Sequence, residues 1–185
     1  MSAPASVGGR DRLRLFAGFS LPDDALDALV RWQSGLPESD ARLVPRDNLH
    51  VTVAFLGSRP AEDVPAIVSE LGDAAARVRP IELTARRYRE TRSVGMLVLD
   101  DRELAATRIA ERVHKRLERL GVYRREKRPW LPHVTVLRFR RPPRLDPPVP
   151  DLGTVSPSGL ALYHSVLRST GAQYEILESF ALGGT

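Results

Sequence analysis

The pattern of apolar and polar positions predicts a chain of mixed strands and helices. Every second residue from Leu13 to Phe19 is apolar, which is typical of a β-strand. Apolar residues then recur at helical spacing in three segments. The most regular of these runs from Ala105 to Leu120 and is followed by Gly121, a residue type that commonly ends helices. We predict helices at residues 22–36, 64–75 and 105–120.

Short apolar runs rich in β-branched residues predict further strands. One begins at His50 and continues through about Leu56, and another spans Leu131–Phe139. The remaining predicted strands are Ile81–Ala85, Val94–Leu99, Val155–Leu167 and Gln173–Leu182, of which the last two form a hairpin. The basic segment Arg86–Arg92 is predicted to be a turn, and the proline-rich segment Arg141–Pro150 a loop. Strands that occur both as hairpins and beside helices indicate an α+β fold with antiparallel sheet.

A four-residue string occurs twice in the chain, first from His50 to Val53 and again from His133 to Val136. Because successive side chains of a strand point to opposite faces, each string places an imidazole and a hydroxyl on one face and two valines on the other. Each copy follows a helix and an irregular stretch. We therefore expect two lobes that face each other across a cleft.

The composition limits the chemistry that the chain can perform. With 185 residues and 42% apolar residues, the chain fits one domain at residues 12–185, preceded by a tail at residues 1–11 that we expect to be disordered. The absence of cysteine excludes disulfides, thiolate nucleophiles and cysteine-bound metals. No segment resembles a secretory signal or a membrane span, so we expect a cytoplasmic protein without membrane contact.

The net charge of +5 is compatible with a polyanionic partner, because positive potential attracts phosphates. All but two of the 28 basic residues are arginines, however, a bias that the coding habits of a GC-rich genome also produce. Four arginines lie in the predicted turn, where they either grip RNA or form a solvated charged turn. They are Arg86, Arg87, Arg89 and Arg92.

With its two His-Val-Thr-Val strings, the chain resembles the 2H phosphoesterase superfamily, and more narrowly the bacterial RNA 2′,3′-cyclic phosphodiesterases, historically called 2′-5′ RNA ligases. The matching segments are Arg14–Ala17 with Leu21–Pro22, Val44–Pro45 with Asn48–His50, Pro132–Val136 with Arg138, and Leu162–Tyr163 and Ser165 with Gly171 and Tyr174–Glu175. The resemblance implies a two-lobed α+β fold with antiparallel sheets, helices outside and a central cleft.

The residues of the two strings suit the hydrolysis of a cyclic phosphate, which needs a base for water, an acid for the leaving oxygen and donors for the phosphoryl oxygens. The resemblance implies that His50 is the proton donor to the leaving 3′ oxygen and that His133 is the proton acceptor. It implies that Thr52 and Thr135 donate hydrogen bonds to the nonbridging oxygens. No metal or other cofactor is expected; a histidine metal site is the alternative, with Asp47 as the one nearby carboxylate.

Five further residues are candidates for substrate binding, and each has a structural alternative. Arg138 matches a family arginine that contacts phosphate, although strict alternation places it on the valine face unless a bulge re-aims it. Phe16 and Arg14 share a strand face and are candidates for base stacking and a phosphate contact, or are covered sheet residues. Tyr174 and Ser165 match the family's C-terminal pattern and either line the cleft or pack inside.

The expected activity is hydrolysis of RNA 2′,3′-cyclic phosphate ends to 2′-phosphates by a monomer, with reverse 2′-5′ ligation as a secondary reaction and tRNA fragments as one candidate substrate. Two alternatives remain open at this point. One is a phosphodiesterase of small cyclic nucleotides or ADP-ribose cyclic phosphate. The other is a noncatalytic RNA-binding module. His114 is expected at the surface of the third helix.

Overall fold

A computed structural model describes residues 11–76 and 78–182 of the chain. The described elements are β1 (Arg12–Ser20), α1 (Asp23–Ser34), β2 (Arg42–Leu43), β3 (His50–Pro60), α2 (Val64–Ala75), β4 (Thr84–Glu90), β5 (Val94–Asp100), α3 (Ala105–Arg119), β6 (His133–Arg138), β7 (Gly159–Arg168) and β8 (Gly171–Ala181), with 3-10 turns at Arg46–Asn48 and Ala61–Asp63. These elements confirm the predicted helices and most strands. The expected disorder of the N-terminal tail falls almost entirely outside the described residues.

The strands form one curled antiparallel sheet in the order β4-β5-β6-β3-β1-β7-β8, with β2 beside β6. The α+β prediction is confirmed, although the two expected lobes are halves of a single sheet. The halves meet where β3 lies beside β6, joined there by one paired position, Val51 opposite Val134. Both copies of the repeated string therefore lie at the centre of the sheet.

One face of the sheet is covered by helices and the other is open. The covered face carries the valines of both strings together with Leu15 and Phe19, and these pack in one core with residues such as Leu71 and Leu117 from α2 and α3. The opposite face, which carries His50, Thr52, His133 and Thr135, is called the open face below. None of the helices in the described part of the chain has the length and apolar composition needed to cross a bilayer.

The basic segment predicted as a turn is instead most of edge strand β4. Its register against β5 slips between Ala85 and Arg87, so Arg86 interrupts the alternation that would have revealed a strand. Beyond the slip, Tyr88 packs against the core while Arg87 and Arg89 lie on the open face. Charged side chains and a bulge are common on edge strands because they discourage pairing with other chains.

His114 is buried rather than at the surface. Only 5% of it is exposed, its ring stacks on Tyr123, and its Nε2 donates a hydrogen bond of 2.8 Å to the carbonyl oxygen of Val53. Burial lowers its pKa. Trp130 acts similarly, donating from its indole nitrogen to the carbonyl oxygen of Thr52 at 3.0 Å. These two side chains satisfy carbonyl oxygens of β3 close to its short ladder with β6, which contains one pair.

A bulge in β6 changes the direction of the residues that follow the second string. Met96 of β5 pairs with Thr135 and Gly95 pairs with Leu137, which leaves Val136 without a partner on β5. The carbonyl oxygen of Val136 accepts hydrogen bonds from the Val44 amide and from the side chain of Gln33 on α1. The buried Gln33 amide also donates to the Val44 carbonyl, so this helix residue stabilises the bulge.

Candidate active site

The register of β3 against β6 brings the polar residues of both strings together. Val51 lies opposite Val134 in an antiparallel pair, and continuing this register directs His50 toward Thr135 and Thr52 toward His133 on the same face. The four side chains thus form a compact group on the open face, with the two imidazoles on its diagonal.

Both imidazoles are oriented in the same way by the backbone. The Nδ1 of His50 donates to the carbonyl oxygen of Asn48, and the Nδ1 of His133 donates to that of Leu131, each at 2.8 Å and each two residues upstream. With Nδ1 carrying a proton, Nε2 is the atom that is free to exchange one. Each string therefore presents an Nε2 atom to the open face.

The two Nε2 atoms differ in their surroundings. That of His50 lies 2.8 Å from the hydroxyl oxygen of Thr52, which can donate to the neutral ring. That of His133 forms no hydrogen bond within the described part of the chain. The pair is therefore asymmetric before any substrate binds.

His50 sits in an aromatic cluster. Phe16 and Tyr163 stack on each other with ring centroids 4.8 Å apart, and the His50 centroid lies 4.8 Å from Phe16 and 5.5 Å from Tyr163. Tyr174 approaches edge-on at 5.4 Å. Burial among these rings, with smaller contributions from the neighbouring His133 and Arg138, lowers the pKa of His50 to about 4. At neutral pH, without substrate, His50 is therefore uncharged.

Gly18 of β1 makes room for the His50 ring. A Cβ atom at this position would lie 3.0 Å from the carbonyl oxygen of Val51 and 3.3 Å from Cδ2 of His50. Gly18 pairs with Thr52 in the β1–β3 ladder. Because Gly18 has no side chain, β1 leaves the space that the imidazole occupies.

Arg138 reaches the open face because of the β6 bulge, as the sequence argument required. The residue is exposed at the end of β6, and its guanidinium lies 3.5 Å from the hydroxyl oxygen of Tyr174. The positive charge of Arg138 contributes to the low pKa of His50, so Arg138 is close enough to the first string to interact with it electrostatically. Arg138 and Tyr174 come from opposite halves of the sheet.

The other residues predicted to bind substrate differ in how far they are exposed on the open face. Phe16 is 2% exposed and lies beneath His50, so in this structure it supports the imidazole and offers no free ring face to a base. Arg14 is exposed on the same face of β1, opposite Ser58. Ser165 lies opposite Tyr174 in the β7–β8 hairpin, on the open face and partly exposed. Roles for Arg14, Ser165 and Tyr174 stay predictions.

Several positioning contacts had no role in the sequence argument. Tyr163 and Ser20 join their hydroxyls at 2.8 Å beside His50. The side chain of Asn48 donates to the carbonyl oxygen of Ala172, which ties the segment before His50 to the β7–β8 hairpin. Asn48 and Tyr163 both lie in segments that carry the family resemblance, the one available signal. Backbone acceptors and packing partners leave no other mark in a single sequence.

The substitution Gly18→Ala tests the positioning of His50. Because the family resemblance assigns His50 a catalytic role, we expect activity on a 2′,3′-cyclic phosphate to fall by about 100-fold, since displacing a catalytic group by about 1 Å can cost that much. The matched control is Gly35→Ala, where the added Cβ would meet only the carbonyl oxygen of Trp32 at 3.5 Å and activity should be unchanged. Comparing the rates and the His50 ring resonances by NMR checks this expectation. A fully active Gly18→Ala protein would contradict the positioning role.

Comparisons with known proteins agree with this geometry. The model of the LigT-like phosphoesterase family matches residues 19–92. An RNA 2′,3′-cyclic phosphodiesterase of Thermus thermophilus is 31% identical over 93% of this chain and 91% of its own length. The protein of the same name from Escherichia coli is 28% identical over 91% of this chain and 96% of its own length.

Solved structures of similar proteins show the same fold over nearly the whole chain. The crystal structure of a Thermus thermophilus protein superimposes with a TM-score of 0.80 at 28% identity, covering 92% of this chain and 98% of that one. Apo LigT of Escherichia coli gives a TM-score of 0.79 at 26% identity, covering 94% and 99%. The resemblance first visible in the two strings is confirmed: the chain belongs to the RNA 2′,3′-cyclic phosphodiesterase family of 2H phosphoesterases.

Proposed function

We propose that this protein hydrolyses RNA 2′,3′-cyclic phosphate ends to 2′-phosphates by metal-independent acid-base catalysis, with His50 as proton donor and His133 as proton acceptor. The observation that carries the proposal is the adjoining register of the two strings, which places two imidazoles and two hydroxyls on one open face. The names of the relatives from Thermus thermophilus and Escherichia coli support the substrate class.

His133 suits the role of the base. Its Nδ1–H donates to the Leu131 carbonyl, which orients Nε2 toward the open face, where this atom can accept a proton. A water molecule bound at this atom would lose a proton as it attacks phosphorus. The bond from phosphorus to the 3′ oxygen breaks at the opposite side, where that oxygen needs a proton.

His50 must gain a proton before it can act as the acid. Its low pKa reflects burial and, to a smaller extent, the neighbouring His133 and Arg138, and a bound phosphate anion would offset the positive charge of Arg138. Substrate binding should therefore raise the pKa of His50. Once Nε2 is protonated, it no longer accepts a hydrogen bond from Thr52, and the Thr52 hydroxyl can donate to a phosphoryl oxygen instead.

The remaining donors surround the same position. Thr135 lies next to His50 across the β3–β6 pair, and Arg138 projects from the end of β6. Together with Thr52 they would stabilise the negative charge that accumulates on the nonbridging oxygens in the transition state. The same acid-base pair would run the reverse 2′-5′ ligation.

The finer parts of the proposal concern the setting of the reaction. We place the protein in the cytoplasm as a monomer, acting on RNA ends that include tRNA fragments. A solved Escherichia coli LigT complex contains 3′-AMP, which fits a site for a nucleotide end. Small cyclic nucleotides remain the second candidate substrate, because the contacts proposed above are all made to the cyclic phosphate and none is made to a base.

The direct test is product identification with a short RNA that bears a 2′,3′-cyclic phosphate. We expect a 2′-phosphate product, because His50 would protonate the 3′ oxygen, and an unchanged rate in EDTA. Chromatography against both phosphate isomers and a parallel magnesium series checks these expectations. A 3′-phosphate product would contradict the assignment of the leaving oxygen, and a rate lost in EDTA and restored by metal would contradict the mechanism.

The protonation of His50 gives an independent prediction. Without ligand the ring should titrate near pH 4, and binding of an oligonucleotide 2′-phosphate should shift its pKa upward, with net proton uptake at neutral pH. Ring resonances followed by NMR with and without product measure this shift. His114 is the internal control, because it is buried beneath Val53 away from the open face and should titrate identically. A His50 pKa that stays near 4 in the complex would transfer the donor role to His133.

A further inference from the structure

A basic pocket lies beside the proposed active site, at the end of β6. It is an open pocket of about 1070 Å³. Its lining includes four arginines, Arg42, Arg138, Arg140 and Arg141, and one carboxylate, Asp40. The pocket therefore combines a concave shape with an excess of positive charge, which is the environment that attracts polyanions.

Two of these arginines are held in an unfavourable arrangement. Arg42 of β2 lies directly opposite Arg138 of β6, so the two side chains share one face of the sheet. Like charges in directly opposed positions destabilise an antiparallel pair. An anion bound between the two guanidinium groups would remove this repulsion.

The pocket arginines are available for a ligand. Elsewhere, Arg46 bonds to Asp23 and Asp27, and Arg116 bonds to Glu70 and Asp73. In contrast, Arg42, Arg140 and Arg141 form no ion pair with a carboxylate in the part of the chain that the structure describes. All three are exposed.

The backbone around the pocket is constrained. Phe139 is 8% exposed and its amide donates to the carbonyl oxygen of Ser93, which fixes the start of the Arg140–Arg141 segment. Pro142 and Pro143 follow at once and restrict the chain further. A rigid segment loses less conformational entropy when a ligand binds.

Arg138 belongs both to this pocket and to the proposed phosphate site. It contacts Tyr174 across the open face and influences the His50 pKa. A strand whose terminal phosphate lies between the histidines can thus place its next phosphates against Arg42, Arg140 and Arg141. Arg87 and Arg89 on β4 lie two strands from His133 and Thr135, because Val98 and Met96 of β5 pair with both strands. They do not line the pocket that contains Arg138.

We propose that this pocket binds the phosphodiester backbone of the RNA strand that leads into the cyclic end, and so favours oligonucleotides over cyclic mononucleotides. This inference rests on the proposed function for its substrate. It assigns the RNA-binding role to Arg42, Arg140 and Arg141 rather than to the basic strand β4.

The experiment compares three charge-matched triple variants with the parent protein. The pocket variant is Arg42→Gln/Arg140→Gln/Arg141→Gln. The competing variant is Arg86→Gln/Arg87→Gln/Arg89→Gln on β4, and the remote control is Arg31→Gln/Arg102→Gln/Arg108→Gln. For each, kcat/KM is measured with a short cyclic-ended RNA and with a 2′,3′-cyclic mononucleotide over a salt series, and thermal unfolding verifies the fold.

We expect the pocket variant to lose at least about tenfold in kcat/KM for the RNA at low salt relative to its change for the mononucleotide. Its salt dependence should flatten by a slope of about 2, because each phosphate contact to a single strand contributes about 0.7. The remote control should behave as the parent does. Equal losses on both substrates, a parental RNA rate, or a selective loss in the β4 variant instead would each overturn the proposal.

Binding separates this proposal from the proposed function. Fluorescence anisotropy with a labelled RNA that ends in a 2′-phosphate needs no turnover, so it remains informative if the parent hydrolyses neither substrate. Weaker RNA binding by the pocket variant alone would support the pocket. Equal affinity of the pocket variant and the parent across the salt series would overturn it.

Discussion

The site depends on the register between β3 and β6. A slip of one residue would turn the histidines and threonines of one strand toward the helices and its valines toward solvent. Only one pair, Val51 with Val134, defines this register in the ladder. The valines buried on the helix side provide the larger restraint, since exposing them would forfeit about 1.5–3 kcal/mol each. Burial on one face therefore fixes the chemistry on the other.

Side chains replace the backbone ladder where the halves of the sheet diverge. Trp130 and His114 donate to carbonyls of β3, and Gln33 donates to the carbonyl at the β6 bulge. These bonds satisfy buried acceptors that would otherwise cost about 1–3 kcal/mol each. They also stabilise the centre of the sheet, where the ladder between β3 and β6 contains a single pair.

The aromatic cluster around His50 and the nearby Arg138 both disfavour the imidazolium when the site is empty. Burial and positive charge keep His50 neutral in the free protein. A phosphate anion reverses the electrostatic part of this balance, since it neutralises Arg138 and favours the imidazolium. In the proposed mechanism, the acid is thus formed by the substrate that it protonates, and Thr52 becomes available as a donor in the same step.

The sequence predicted the helices, the α+β class and the polar group of the two strings, because alternation and helical spacing report directly on burial. It failed where a bulge broke the alternation, as at Arg86, and it left the direction of Arg138 undecided for the same reason. The prediction that His114 lies at the surface is wrong because its hydrogen bond to the Val53 carbonyl oxygen depends on a tertiary contact. The sequence places Phe16 on the correct face, but it does not show that the rings of His50 and Tyr163, from the neighbouring strands, cover this residue.

The central claim is that the two strings act as one catalytic unit, and a double-mutant cycle on the histidines tests it most directly. His50→Ala and His133→Ala should each lose about 100-fold to 10,000-fold in kcat on a 2′,3′-cyclic phosphate while remaining folded. The double variant should lose far less than the product of the two single losses, because both residues serve one transition state. Losses that multiply, or near-parental activity in either folded single variant, would contradict the account.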